Sequence, residues 1–204
     1  MPFGVHLPEY LRKQIVEQSY KVADQEEAGL RAELKVLASK LNLNVSEDAI
    51  GKSETVSFVE QAGRQIDVIK QHGRLADMIV VAKPDRDRNL GHNTLKAALF
   101  HSGRPVLMCP PTPVSLKKLG VKVTIAWNGS SEAARALSQC KSVLRAADTV
   151  WILSNDADSG PGTSTSDLIY YLDLHGISAR LEKFKSSKNI GKELLSASTN
   201  LGAD

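Results

Sequence analysis

Residues 122–137, KVTIAWNGSSEAARAL, contain the pattern that decides the fold. The stretch begins as an apolar strand, turns at Asn128 and Gly129, and continues into a helix whose first turn is polar. A strand that passes through a tight turn directly into a helix is the first half of a βαβ unit. In open parallel sheets, ligands bind at the carboxyl ends of such strands, so this turn is the first candidate site.

The same residues also have a purely structural interpretation. Gly129 can serve the backbone of the turn, Ser130 can cap the helix, and Glu132 can complement the positive end of the helix dipole. The turn has neither the G-x-G-x-x-G nor the G-x-x-x-x-G-K-[ST] spacing of phosphate-binding loops. The sequence leaves both interpretations open at this point.

The composition is typical of a globular protein and disfavours several functions. The 204 residues are 42% hydrophobic, and 26 basic and 23 acidic side chains are interspersed, which argues against a nucleic-acid surface. Cys109 and Cys140 have no metal or redox spacing and are interpreted as reduced packing residues. No secretory signal and no window of about 18 apolar residues is present, so a cytoplasmic location without membrane contact is expected.

The rest of the chain alternates helical and strand periodicity. This order predicts an α/β protein with mostly parallel open sheets flanked by helices. Helices are expected at 8–41, 64–75, 94–100, 131–144, 164–175 and 190–201. Strands are expected at 55–60, 78–82, 105–109, 121–127, 149–153 and 177–184. A bend or break is expected at Gly29, which costs about 1 kcal/mol against alanine in a helix.

Three further sites carry polar side chains of interest. The loop 83–91 could hold an anion through Lys83, Arg86 or Arg88, although alternating charges of this kind are typical of a solvated loop. Ser164-x-x-Asp167 predicts a capping box. His175 is expected to end a helix and complement its dipole, not to act as a ligand.

An imperfect internal repeat divides the chain. Leu75-Ala76-Asp77 and residues 201–204 (LGAD) each follow a helix, offset by 127 residues, and prolines between 110 and 113 separate the halves. We therefore predict an α/β domain portion at 1–110, a linker at 111–120 and a second portion at 121–204. Each half is expected to be incomplete, with a strand, helix and strand following Asp204, so the chain is interpreted as a fragment or a short protein.

The segments KVTIAWNGSSEAARAL, GRLADMIVVAKPD, SGRPVLMCP and LGAD resemble the tandem universal stress protein family over most of the chain. The resemblance implies adenine-nucleotide alpha-hydrolase-like domains, each with five parallel strands in the order 3-2-1-4-5. It implies a non-catalytic cytoplasmic stress-response protein that binds ATP or AMP and self-associates or pairs its domains.

The resemblance also implies where a nucleotide would bind. Family members that bind ATP carry an acid after the first strand, where this chain has Asn128. The phosphate motif G-x2-G-x9-G-S/T is degenerate in the first half, because Pro84 offers no amide and only Gly91 remains as a glycine of the loop. The implied nucleotide-binding residues are Ala126, Trp127, Asn128, Gly129, Ser154 and Gly91.

Two other functions and one further arrangement stay open from the sequence. The chain could be a structural or dimerisation module that needs no nucleotide, or an enzyme resembling ATP pyrophosphatases, whose S-G-G-x-D-S motif the turn at 128–132 lacks in part. No catalytic residues and no metal ligands are expected. The strand at 78–81 is also hypothesised to pair beside the strand at 121–127 in one composite sheet.

Overall fold

The computed structural model describes residues 8–48, 51, 53–85, 87–88, 90–111, 119–155, 163–184 and 188–204. The described helices are α1 (Glu9–Leu41), α2 (Gln65–Gly73), α3 (His92–His101), α4 (Ser131–Gln139), α5 (Lys141–Ala146), α6 (Thr165–Leu174) and α7 (Ile190–Asn200). The described strands are β1 (Asn44–Val45), β2 (Thr55–Val56), β3 (Ile79–Ala82), β4 (Val106–Cys109), β5 (Lys122–Ala126), β6 (Thr149–Asn155) and β7 (Ala179–Phe184). Every ladder between these strands is parallel, which confirms the predicted α/β class.

The chain divides into two compact units, Met1–Ala62 and Gly63–Asp204. The first unit contains α1 and the two-stranded sheet β1-β2, and the second contains the sheets β3-β4 and β5-β6-β7. Most of the predicted linker, residues 112–118, lies outside the described residues. The domain boundary at 111–120 therefore stays a prediction.

The three-stranded sheet forms the main core of the second unit. Its central strand β6 pairs with β5 on one side and with β7 on the other, and Ile152 is fully buried between them. Helices α4, α5 and α6 cover the sheet with apolar side chains, of which Leu172 is also fully buried. Burying one such side chain stabilises the fold by about 1.5–3 kcal/mol. The rest of the buried cluster is Trp127, Leu137, Leu144, Val150, Leu168 and Ile177.

Local signals set the ends of the covering helices. The predicted capping box is confirmed, because the Asp167 amide donates to the Ser164 hydroxyl and the Ser164 amide donates to the Asp167 carboxylate, both at 3.1 Å. These bonds with Ser164 lower the pKa of Asp167. The single helix expected at 131–144 is wrong, since Cys140 leaves helical geometry and separates α4 from α5. His175 ends α6 as predicted and packs edge-on against Tyr171.

The sheet β3-β4 is separate from β5, so the hypothesised composite sheet is wrong. The backbone groups on one edge of β3 form their hydrogen bonds with β4 instead, with Ile79 opposite Val106 and Ala82 opposite Cys109. Helix α2 packs closely at the start of this sheet, where a Cβ on Gly73 would lie 2.8 Å from the Ile79 Cδ1 atom. An alanine at this position would therefore require the end of the Ile79 side chain to shift.

Two expectations for the first unit are also wrong. Helix α1 continues through Gly29 without a break, because one glycine costs too little to interrupt a helix of 33 residues. The strand expected at 55–60 is limited to Thr55–Val56, and it pairs with Asn44–Val45, where no strand was expected. Beyond β2, the Phe58 ring lies under the Arg31 guanidinium at 4.4 Å.

Replacing Gly29 by alanine is expected to stabilise the protein by about 0.5–1 kcal/mol, because a Cβ there meets no atom within 4 Å and alanine orders the helix at lower entropic cost. Gly73→Ala, the matched control, should gain less stability, because its Cβ would displace the Ile79 Cδ1 atom. Urea denaturation followed by circular dichroism measures both. A lower midpoint for Gly29→Ala would contradict the unobstructed helix surface.

Candidate functional site

The junction between β5 and α4 has the geometry that its sequence predicts. Gly129 adopts a φ of 71°, a left-handed conformation that favours glycine. The Ser130 hydroxyl accepts the Ala133 amide at 3.2 Å and caps α4, and the Asn128 Oδ1 atom accepts the Ser130 amide at 3.1 Å. The structural roles of Gly129 and Ser130 are therefore confirmed, and the turn holds Asn128 in one orientation.

A cavity of about 410 Å³ opens beside this junction. It lies where β5, β6 and β7 end, between the first turns of α4 and α7, as expected for a ligand site in a parallel sheet. Its volume falls within the range of about 300–1,000 Å³ that is usual for small-molecule sites. The cavity is lined by Ala126, Trp127, Asn128, Ser130, Glu132, Ala133, Leu153, Asn155, Phe184, Ile190 and Leu194.

Trp127 connects the cavity wall to the core. Its amide continues the parallel ladder by donating to the Leu153 carbonyl at 3.1 Å, and its side chain is 6% exposed. The indole Nε1 donates to the Thr163 carbonyl at 3.2 Å, so the residue is held through its backbone and through its ring. Trp127 therefore fixes the wall of the cavity and supplies little mobile surface of its own.

Glu132 supplies the charge at the cavity. Hydrogen bonds from its own backbone amide and then from the Ser131 hydroxyl hold the pKa of Glu132 below its usual value, with smaller contributions from Ser130 and Arg135. The carboxylate is therefore ionised at neutral pH. No other described lining residue carries an ionisable side chain, and the remaining polar groups include the amides of Asn128 and Asn155.

Three of the six predicted binding residues line the cavity, namely Ala126, Trp127 and Asn128. Gly129 shapes the turn beside it. Ser154 is buried within β6 between two lining residues, and because strand side chains alternate it belongs to the opposite face of the sheet. Gly91 is placed elsewhere, at the start of α3, where a Cβ would contact Pro84 at 3.4 Å.

Sequence reasoning missed most of the apolar wall. Asn155 and Phe184 are the last residues of β6 and β7, so the rule that sites follow strand ends would have found both. Leu194 and Ile190 come from α7, and the sequence had no signal that this helix borders the β5 turn. Their placement follows from the packing of α7 beside the sheet, where the Ser198 and Thr124 hydroxyls lie 2.8 Å apart.

The charged loop at 83–91 gives little support to the anion site considered from the sequence. The Asp85 carboxylate accepts the amides of Asp87 and Arg88 and lies 3.5 Å from the Arg88 guanidinium. Arg88 thus has a local partner within an exposed loop, as the solvated interpretation expects. Arg86 lies outside the described residues.

The described part of the chain contains no group of three or more His, Cys, Asp or Glu residues placed to hold a metal ion. Both cysteines are free and half-buried, and burial raises the pKa of the Cys140 thiol. Within the same residues, no helix combines the length and the apolar character that a bilayer crossing requires.

No protein-family model and no curated relative matches the chain. Among solved structures, the chain is similar to a variant of N-acetyl-L-ornithine transcarbamylase complexed with carbamyl phosphate and N-succinyl-L-norvaline, at 14% identity and a TM-score of 0.19. The match covers 69% of this chain and 48% of that enzyme, so it spans about half of the enzyme's length.

Replacing Ser130 by alanine is expected to destabilise the protein by about 1 kcal/mol, because the Ala133 amide loses its acceptor at the N-terminus of α4. Ser138→Ala, an exposed site within the same helix, is the matched control and should have little effect. Chemical denaturation measures both variants. Equal stability of the two would show that the cap contributes nothing to the β5–α4 junction.

Proposed function

We propose that this chain is a non-catalytic binding protein of the universal stress type, whose cavity takes the adenine nucleoside part of a nucleotide such as AMP or ATP. The observation that carries the proposal is the cavity itself, which gathers the carboxyl ends of three parallel strands around the Asn128 turn. Its location supports a ligand site on physical grounds, since strand ends and helix starts converge there.

The lining of the cavity fits the chemistry of a nucleoside. Leu153, Phe184 and Leu194 offer apolar walls to a flat base. Asn128 uses its Oδ1 atom within the turn, which leaves its side-chain NH₂ group as a donor to a ring nitrogen or a ribose hydroxyl. Asn155 adds a second amide at the end of β6.

The same lining does not fit the phosphates. Phosphate groups are usually held by cations or by a cluster of backbone amides, and the single ionisable side chain among the described lining residues is the carboxylate of Glu132. The N-terminal amide of Ala133 is already used by Ser130. Phosphates attached to a bound nucleoside would therefore project away from the cavity.

A binding role without chemistry agrees with these residues. The described lining residues contain no histidine, cysteine or lysine, and one exposed carboxylate whose pKa is lowered is a poor general acid or base near neutral pH. We therefore assign the cavity to recognition, with the occupancy of the cavity as the regulatory signal.

Leu194→Trp is expected to weaken adenosine and AMP binding at least tenfold, because the larger ring fills the cavity against α7. Leu195→Trp makes the same change at a neighbouring residue of which 71% is exposed, and it should leave binding unchanged. Isothermal titration calorimetry of the complete chain with adenosine, AMP and ATP measures these affinities. The proposal fails if no adenine compound binds, or if Leu194→Trp binds as tightly as the unmodified protein.

Glu132→Gln is expected to raise the affinity for ATP several-fold while changing that for adenosine little, because it removes a charge that repels phosphates. The effect should shrink as salt is added. Asp173→Asn, at the end of α6, makes the same chemical change away from the cavity and serves as the control. A matching gain for adenosine would argue against electrostatic repulsion as the cause.

A further inference from the structure

Helix α1 exposes apolar side chains at regular intervals along its length, and the first unit does not cover them. The helix has 33 residues, yet Ala38 is its one buried residue. Ile15, Val22 and Val36 are 56%, 51% and 54% exposed. Helical stability in proteins comes mostly from packing an apolar face against another element, so a long helix with so little burial lacks its main source of stability.

The exposed residues repeat with the spacing of a coiled-coil seam. Ile15, Val22, Gly29 and Val36 are seven residues apart, and Leu11, Gln18, Gln25 and Ala32 fall three or four residues from them. This set, called here the α1 seam, lies on the side of the helix away from β1-β2. The opposite side carries Arg31 and Leu34, which line a depression shared with those strands.

A surface depression lies at one end of the α1 seam. Ala32, Glu33, Val36 and Leu37 line a shallow, mostly apolar depression of about 370 Å³. The small side chain of Ala32 lets another helix approach closely. A bulky aliphatic side chain on a facing helix would fit above Ala32, and Ile15 at the other end of the same seam is such a side chain.

We propose that the α1 seam binds the α1 seam of a second copy of this chain, with the two helices antiparallel. In this register Ile15 packs on Ala32 of the second copy, Leu11 on its Val36, and Val22 on its Gln25. The contact is isologous, so each pair occurs twice across a twofold axis. The paired region, residues 11–36, spans roughly 39 Å at 1.5 Å per residue.

Charges beside the seam select the antiparallel direction. The exposed residues Arg12 and Glu33 flank the seam, and the antiparallel register places Arg12 of each copy beside Glu33 of the other. The parallel register would place Lys21 beside Glu26 of the second copy but also Lys35 beside Lys40, so its attractive and repulsive pairs offset each other. Opposite charges at flanking positions set partner orientation in coiled coils.

The test is the oligomeric state of the complete chain by sedimentation velocity and light scattering. The unmodified protein should dimerise, with a dissociation constant in the micromolar range because the contact is short and contains two glutamines. Arg12→Glu and Glu33→Arg should each weaken the dimer at least tenfold, and the double variant Arg12→Glu/Glu33→Arg should restore it. Lys13→Glu, the same charge change off the seam, should leave it intact.

Cross-linking checks the direction independently. Ile15→Cys mixed with Ala32→Cys should form a disulfide-linked heterodimer under mild oxidation, whereas Ile15→Cys alone should not link to itself. The proposal is overturned by a monomer at the highest attainable concentration, by a double variant as weak as the single ones, by Lys13→Glu acting like Arg12→Glu, or by self-linkage of Ile15→Cys.

Discussion

The second unit depends on the double pairing of strand β6. Its backbone is bonded to β5 and to β7, and Ile152 and Leu153 on its two faces are 0% and 1% exposed. A parallel strand with neighbours on both sides must be covered on both faces, which fixes where the helices can lie. Because the three strands run in the same direction, their carboxyl ends open together, and the cavity is a consequence of the pairing.

The parts of the fold that the sequence predicted are those with strong local signals. The runs that became β3 and β6 contain continuous apolar segments, β5 alternates polar and apolar residues, and the Ser164–Asp167 capping box marks the start of α6 by its own spacing. The predictions that failed concern small energy differences or contacts between residues that are distant in sequence. One glycine cannot break α1, and a two-residue strand such as β2 exists only because β1 is beside it.

The candidate site divides in the same way. Asn128 and Gly129 were predicted because the strand, the turn and the helix are adjacent in sequence. Phe184 and Leu194 were not, since more than fifty residues separate them from the turn and only the order β5-β6-β7 brings them near it. Some residues of a site at strand ends are thus neighbours in sequence, and others are brought together only by the order of the strands. A single sequence predicts the first group and not the second.

The outer edge of β5 already has a partner at the place where the composite sheet would begin. There the Asp204 carboxylate accepts the amides of Gly120, Val121 and Lys122 at 3.0–3.3 Å, and the Asp204 amide donates to the Lys122 carbonyl at 3.1 Å. One residue thus satisfies the donors at which a neighbouring strand would begin its ladder. Asp77, at the matching place in the repeat, instead leads into β3, which pairs with β4. The repeated Ala-Asp pair therefore marks the place where the chain reaches the start of a strand, and it does not determine which strand becomes its neighbour.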